Sequence, residues 1–298
     1  MPMNPSNHPK GKTLIADSGS TKTDWLLIDG QNECFLHTEG INPILQTSGQ
    51  VAGVLRQVVE GLPSSDVQEI HFYGAGCIGE HRERLGQLLR EAFPQAGKVE
   101  AESDLLGAAR AVCGYEEGIA CILGTGSNSC LYDGEHIVKN IPPLGFILGD
   151  EGSGAVLGRR FLNALLKGRL PKALLDGFYE EMNLTYADII RRVYREPMPN
   201  RFLASLSPFI HEHLEEPAVE QIVVENFDDF FGKNVDKYGR KDLPVCAVGS
   251  IACAYEPCFR HVADAHGYEV HRILKSPIDG LRTYYLNQEA RSSLRGLL

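Results

Sequence analysis

The 298-residue chain has no C-x-x-C pair, no apolar run near the ~18 residues that a membrane-spanning helix needs, and no excess of positive charge. Each absence excludes something. The eight cysteines, Cys34, Cys77, Cys113, Cys121, Cys130, Cys246, Cys253 and Cys258, are scattered, and several stand inside apolar runs such as Ile119–Leu123. A reduced cysteine in that setting behaves as a small hydrophobe, so neither a zinc site nor a disulfide framework follows, and a reducing, cytoplasmic location is expected. Lys and Arg number 29 against 39 Asp and Glu, a net charge of −10, which leaves no electrostatic footprint for nucleic acid. The first ten residues are polar and proline-bearing, with no apolar segment of signal-peptide type. No membrane partner is expected. The single tryptophan, Trp25, lies in a strand-like run and reads as core.

What is present is a chain long enough for two domains, with 43% hydrophobic residues. Lys12–Asp17 and Thr23–Asp29 are apolar runs around a polar turn, the pattern of a hairpin, and Glu33–Thr38 supplies a third strand. Val51, Val54, Leu55, Val58, Val59 and Leu62 share one face of a helix. Strands at Glu69–Tyr73 and Lys98–Ala101 alternate with a helix bearing Leu85, Leu88 and Leu89. A helix over Leu105–Val112 has Ser103 or Asp104 near its N-cap. The order then restarts, with strands at Gly118–Leu123 and Ser129–Asp133 and a long helix through Val156 and Leu166. Helices over 202–214 and 218–238, strands at Pro244–Val248 and Tyr268–Ile273, and a last helix from Asp279 complete the chain. Two α/β halves facing each other across a cleft are the simplest architecture, residues 1–117 and 118–298, with the C-terminal helix able to pack back on the first.

Three turns carry the chemistry. Phosphate oxygens are met by backbone N–H groups only where side chains are small, so Gly, Ser and Thr crowd such turns. In Asp17-Ser18-Gly19-Ser20-Thr21-Lys22-Thr23, the threonines add hydroxyls and Lys22 a charge. Asp17 adds a carboxylate for a divalent cation such as Mg²⁺, which takes one or two carboxylates plus phosphates. Gly124-Thr125-Gly126-Ser127-Asn128 repeats the chemistry after a buried strand, and Ala247-Val248-Gly249-Ser250-Ile251-Ala252 could let an adenosine lie against the backbone. Plain polar or strand-to-helix turns remain the competing readings of all three. Gly74-Ala75-Gly76-Cys77-Ile78-Gly79 is a literal G-x-G-x-x-G, but a hairpin and a helix precede it, unlike a dinucleotide fingerprint. Gly11-Lys12-Thr13 lacks the earlier glycine of a P-loop. The acidic run Glu225–Asp229 reads as a solvated helix face.

Taken together, Asp17–Thr23, Gly74–Cys77, Glu102–Ala109, Gly124–Asn128, Gly145–Gly154 and Gly249–Ala252 resemble the actin/hexokinase/Hsp70 ATPase superfamily. Within it they are most similar to the N-acetylglucosamine kinase branch grouped with BadF/BadG-type ATPases, and Leu148-Gly149-Asp150-Glu151-Gly152-Ser153-Gly154 is the most specific stretch. The resemblance implies an α/β fold of two ribonuclease-H-like lobes with mixed β-sheets. It also implies ATP-dependent phosphorylation of a hydroxyl on N-acetylglucosamine or a related amino sugar, with Mg²⁺, in a homodimer. Asp104 then aligns with the catalytic base. Asp17, Gly19, Ser20, Thr21, Lys22, Thr23, Gly124, Thr125, Gly126, Ser127, Gly249 and Ser250 fall to the nucleotide, and Asn42, Asn128 and Asp150 to the sugar. Ser18 departs from the second glycine usual in this branch, and Gly249–Ala252 lacks the usual paired glycines. A BadF-type activator of an electron-transfer enzyme, or a sugar sensor without turnover, are the alternatives on the same fold.

Overall fold

The computed structural model describes residues 11–19, 21–63 and 66–295. It divides into two compact units, Met1–Glu116 with Gly134–His136 and Ser276–Leu298, and Glu117–Asp133 with Ile137–Lys275.

The first unit is built on strands β1 (Lys12–Ser18), β2 (Lys22–Asp29), β3 (Asn32–Glu39), β4 (Val67–Gly74) and β5 (Lys98–Ser103), in the order β3-β2-β1-β4-β5. β1, β2 and β3 form an antiparallel meander, whereas β4 and β5 run parallel to β1. Alternation along the strands splits the core between two faces. Leu14, Ala16, Trp25 and Leu27 pack with Val51, Leu55, Leu85 and Leu89 of helices Ser48–Gly61 and Gly79–Ala92. Ile15, Leu26, Ile28 and Tyr73 pack on the other face with Ala111 and with Leu281, Tyr284 and Tyr285 of helix Pro277–Arg295. That last helix lies against Asp104–Cys113, where a Cβ on Gly280 would come within 2.3 Å of the Ala111 carbonyl oxygen. Trp25 is fully buried, its indole N–H on Thr38 Oγ1 at 2.9 Å.

The second unit repeats the topology. β6 (Gly118–Leu123), β7 (Ser127–Tyr132), β8 (Ile137–Asn140), β9 (Val245–Val248) and β10 (Val270–Leu274) run in the order β10-β9-β6-β7-β8, with β6–β8 antiparallel and β9 and β10 parallel to β6. Its core joins the sheet to helices Gly154–Leu166 and Pro217–Lys233.

Several elements differ from the sequence expectation. The stretch 202–214 is two short helices, Pro199–Ala204 and Ser207–Glu212, because Pro208 cannot continue an α-helix and instead starts a new one. The helix expected over 218–238 ends at Lys233 and tightens into a 3₁₀ turn, Val235–Tyr238. β8 and helices Lys172–Glu181 and Tyr186–Tyr194 add to the elements read from the sequence. Among the described residues no helix is long and apolar enough to cross a membrane.

Candidate active site

In the first unit the β1–β2 hairpin turns tightly, with Gly19 N–H donating to the Lys22 carbonyl at 3.0 Å. Gly19, Thr21 and Lys22 are exposed, and Ser20 lies outside the described residues. Thr23 differs from the expectation of a phosphate-facing hydroxyl. Strand alternation turns it inward opposite Ser18, and both residues are fully buried. Thr23 Oγ1 lies 2.7 Å from Ser18 Oγ and 3.1 Å from the Glu39 carbonyl oxygen. Lys22 Nζ donates to both Asp24 oxygens at 2.9 and 3.1 Å, and His37 Nδ1 sits 2.6 Å from Asp24.

Asp17 pairs in register with Asp24, and its carboxylate has no hydrogen-bond partner among the described residues. Burial, then the charges of Asp24 and Asp104, push it up to about 7 against the opposing Lys22 ammonium. Ser18, Gly74 and Ser103 lie in register across the parallel strands β1, β4 and β5, so Asp17 and Asp104 leave the same edge of the sheet. The cap of helix Asp104–Cys113 is Ser103, whose Oγ accepts from Leu106 N–H at 3.2 Å. Asp104 stands at the first helical position, where its Oδ1 accepts from Leu105 N–H at 2.9 Å. Burial raises its pKa, opposed by that N–H and its own.

The G-x-G-x-x-G stretch serves close packing. Gly76, at φ 81°, brings its α-carbon so near Asn42 that a Cβ would sit 2.4 Å from Asn42 Oδ1. Asn42 Oδ1 accepts from Ile44 N–H at 3.0 Å, while its Nδ2 has no partner among the described residues.

In the second unit the segments Gly124–Asn128, Gly145–Gly154 and Gly249–Ala252 converge. Gly124 N–H donates to the Gly126 carbonyl at 3.0 Å, and Thr125 is exposed at the tip. The Gly145–Gly154 segment docks on this turn, with Gly154 N–H on the Gly124 carbonyl at 2.8 Å and Ala155 N–H on that of Thr125 at 3.1 Å. Asp150, at φ 54°, accepts from Ser127 N–H at 3.4 Å, and burial raises its pKa against that N–H. Asn128 Oδ1 accepts from Asn140 Nδ2 at 2.9 Å and from Ser129 N–H at 2.9 Å. Gly249, at φ 126°, packs so closely that a Cβ would lie 2.2 Å from the Leu123 carbonyl oxygen, and Ser250 next to it is exposed.

One supporting residue escaped the sequence reading. Asn226, inside the run taken as a solvated face, is fully buried. Its Oδ1 accepts from Gly152 N–H and its Nδ2 donates to the Ser153 carbonyl, both at 3.3 Å. The signal was there in the spacing: Val219, Ile222, Val223, Asn226, Phe227 and Phe230 fall on one helical face. Among the described residues no group of three or more His, Cys, Asp or Glu side chains could hold a metal by itself.

Two units of one five-stranded topology, each with a small-residue turn at its first hairpin, define an actin-like ATPase fold. A structure from Porphyromonas gingivalis, named as a putative N-acetylglucosamine kinase, is 48% identical to this chain, covers 92% of it and 99% of itself, and superposes with a TM-score of 0.89. The chain belongs to that N-acetylglucosamine kinase family. It is also 29% identical, over 192 residues, to the N-acetylmuramic acid/N-acetylglucosamine kinase of Clostridium acetobutylicum, covering 60% of this chain and 61% of that enzyme. The glucosamine kinase of Vibrio cholerae is 26% identical over 212 residues, 68% of this chain and 70% of that enzyme. No family model matches the chain.

Proposed function

We propose that this protein is an ATP-dependent kinase that phosphorylates a hydroxyl of N-acetylglucosamine or a related amino sugar. The observation that carries the reading is Asp104: a carboxylate at the sheet edge it shares with Asp17, fixed there by Leu105 N–H while Ser103 supplies the N-cap. A sugar hydroxyl is a weak nucleophile, and a fixed carboxylate accepts its proton as the phosphoryl group transfers. A raised pKa brings that carboxylate nearer the operating pH and makes it a better base. The sugar is assigned to Asn42, whose Nδ2 is free to donate, and to Asp150 and Asn128. The nucleotide is assigned to Gly19, Ser20, Thr21 and Lys22, to Gly124, Thr125, Gly126 and Ser127, and to Gly249 and Ser250.

Asp17 fits a magnesium ion, because its half-buried carboxylate has no hydrogen-bond partner among the described residues and feels Asp24 and Asp104 against Lys22 alone. When bound with ATP, the ion neutralises charge on the phosphates. A cytoplasmic homodimer belongs to the same reading.

An ADP-release assay across N-acetylglucosamine, glucosamine, N-acetylmuramic acid and plain hexoses tests it. We expect turnover on an amino sugar, and a kcat about 10²–10⁴-fold lower in Asp104→Asn with ATP affinity retained. Near-normal turnover in that variant overturns the base assignment. Sugar binding without any transfer turns the reading into that of a sensor.

A further inference from the structure

The Gly40–Asn42 segment belongs to no strand or helix, yet each of its backbone polar groups is partnered. Gly40 N–H donates to the Thr21 carbonyl at 3.1 Å, and the Gly40 carbonyl accepts from Gln46 Nε2 at 2.9 Å. Asn42 N–H donates to Gln46 Oε1 at 2.8 Å, and the Asn42 carbonyl accepts from the Leu45 and Gln46 amides. The residue between them depends on one side chain. Ser18 Oγ accepts from Ile41 N–H at 2.9 Å and donates to the Ile41 carbonyl at 3.0 Å. With its single proton on that carbonyl, Ser18 still has a lone pair for the Thr23 hydroxyl at 2.7 Å.

Ser18 is fully buried, so its hydroxyl and not bulk water satisfies Ile41. It is also in the same short run as Asp17, at the end of β1. We infer that Ser18 is a positioning residue for the sugar: its hydroxyl sets where Gly40–Asn42 presents the Asn42 amide relative to the sheet edge that carries Asp17 and Asp104. The inference rests on the kinase reading and extends it to a residue outside the reacting groups. The Ile41 side chain remains anchored in the core whatever stands at position 18, so removing the hydroxyl loosens the segment without unmaking the fold.

The test compares wild type, Ser18→Ala and Thr38→Ala in steady-state kinetics with both substrates varied, alongside amide hydrogen exchange. Thr38→Ala removes the hydroxyl on Trp25 in the same sheet and controls for general destabilisation. In Ser18→Ala we expect the KM for the amino sugar to rise about tenfold, with the KM for ATP within about twofold and kcat within about threefold. Exchange at the Ile41 amide should quicken by about tenfold or more. Thr38→Ala should leave both KM values in place. A wild type that transfers phosphate to no amino sugar sinks the kinase reading and this inference together. A wild type that does transfer, with a Ser18→Ala variant whose sugar KM is unchanged, or moves no more than its ATP KM, overturns the inference alone.

Discussion

Asp17 shows what a binding carboxylate costs the free protein. It sits between Asp24 and Asp104 without a hydrogen-bond donor, and burial pushes it up to about 7. Asp24 is contacted directly by Lys22 and His37, while Asp17 feels only the more distant charge of Lys22. Replacing Asp17 by Asn keeps the shape and removes the repulsion. We therefore expect Asp17→Asn to be more stable than wild type at pH 8 without nucleotide or divalent cation, by about 1–2 kcal/mol in a denaturant titration. The same variant should lose most phosphoryl transfer, and an unchanged or lower midpoint would show that Asp17 is relieved by a group other than a bound cation. Ser18, by contrast, was legible only as a departure from relatives. Two of its hydroxyl contacts lie 23 residues away on Ile41, and no local pattern announces a side chain that stands in for a strand ladder.

At the scale of elements, β4, β5, the helix from Asp104 and the C-terminal helix meet in one polar network. His71, fully buried, lies 2.8 Å from Glu100 and 3.2 Å from Glu69, with its ring stacked on Tyr285 at 4.0 Å. Arg110 donates to Glu100 at 2.8 Å and to Tyr73 Oη at 2.5 Å, and Tyr73 and Tyr285 share a hydroxyl contact. Burial pushes the Glu100 carboxyl up, but His71 and Arg110 outweigh it and hold the group at about 2. The unfolded chain therefore binds more protons than the folded one between the ordinary value of 4.5 and about 2. The contribution is present above that window and is lost as pH falls through it. We expect Glu100→Gln to lower stability at pH 7 by about 2 kcal/mol and to flatten the dependence of Tm on pH between about 4.5 and 2. Equal acid slopes in the two proteins would remove Glu100 as the source.

For the whole chain, period-two strands and small-residue turns were enough to read the repeated α/β order and the two hairpins, because those signals are local. The separation of Ser103 as cap from Asp104 needed coordinates, since either residue suits an N-cap. β8, four residues long with Lys139 and Asn140, was too short and polar to stand out. The sequence allowed the C-terminal helix to pack back on the first half, but local pattern does not say which core such a helix completes. Ser276–Leu298 belongs with the N-terminal unit, where Ile278, Leu281, Tyr284, Tyr285 and Leu286 are all buried. At about 1.5–3 kcal/mol for each large apolar side chain, their burial rivals the ~5–15 kcal/mol that a whole domain retains. A fragment of residues 1–116 therefore lacks one wall of its own core. We expect it to show no cooperative thermal transition, and a fusion of the same residues through a flexible linker to 276–298 to regain one. Near-ultraviolet circular dichroism on heating reads both, since Tyr73, Tyr284 and Tyr285 report on that core. A cooperative melt in the fragment alone would show that the other face, built on Trp25 and Phe72, is sufficient.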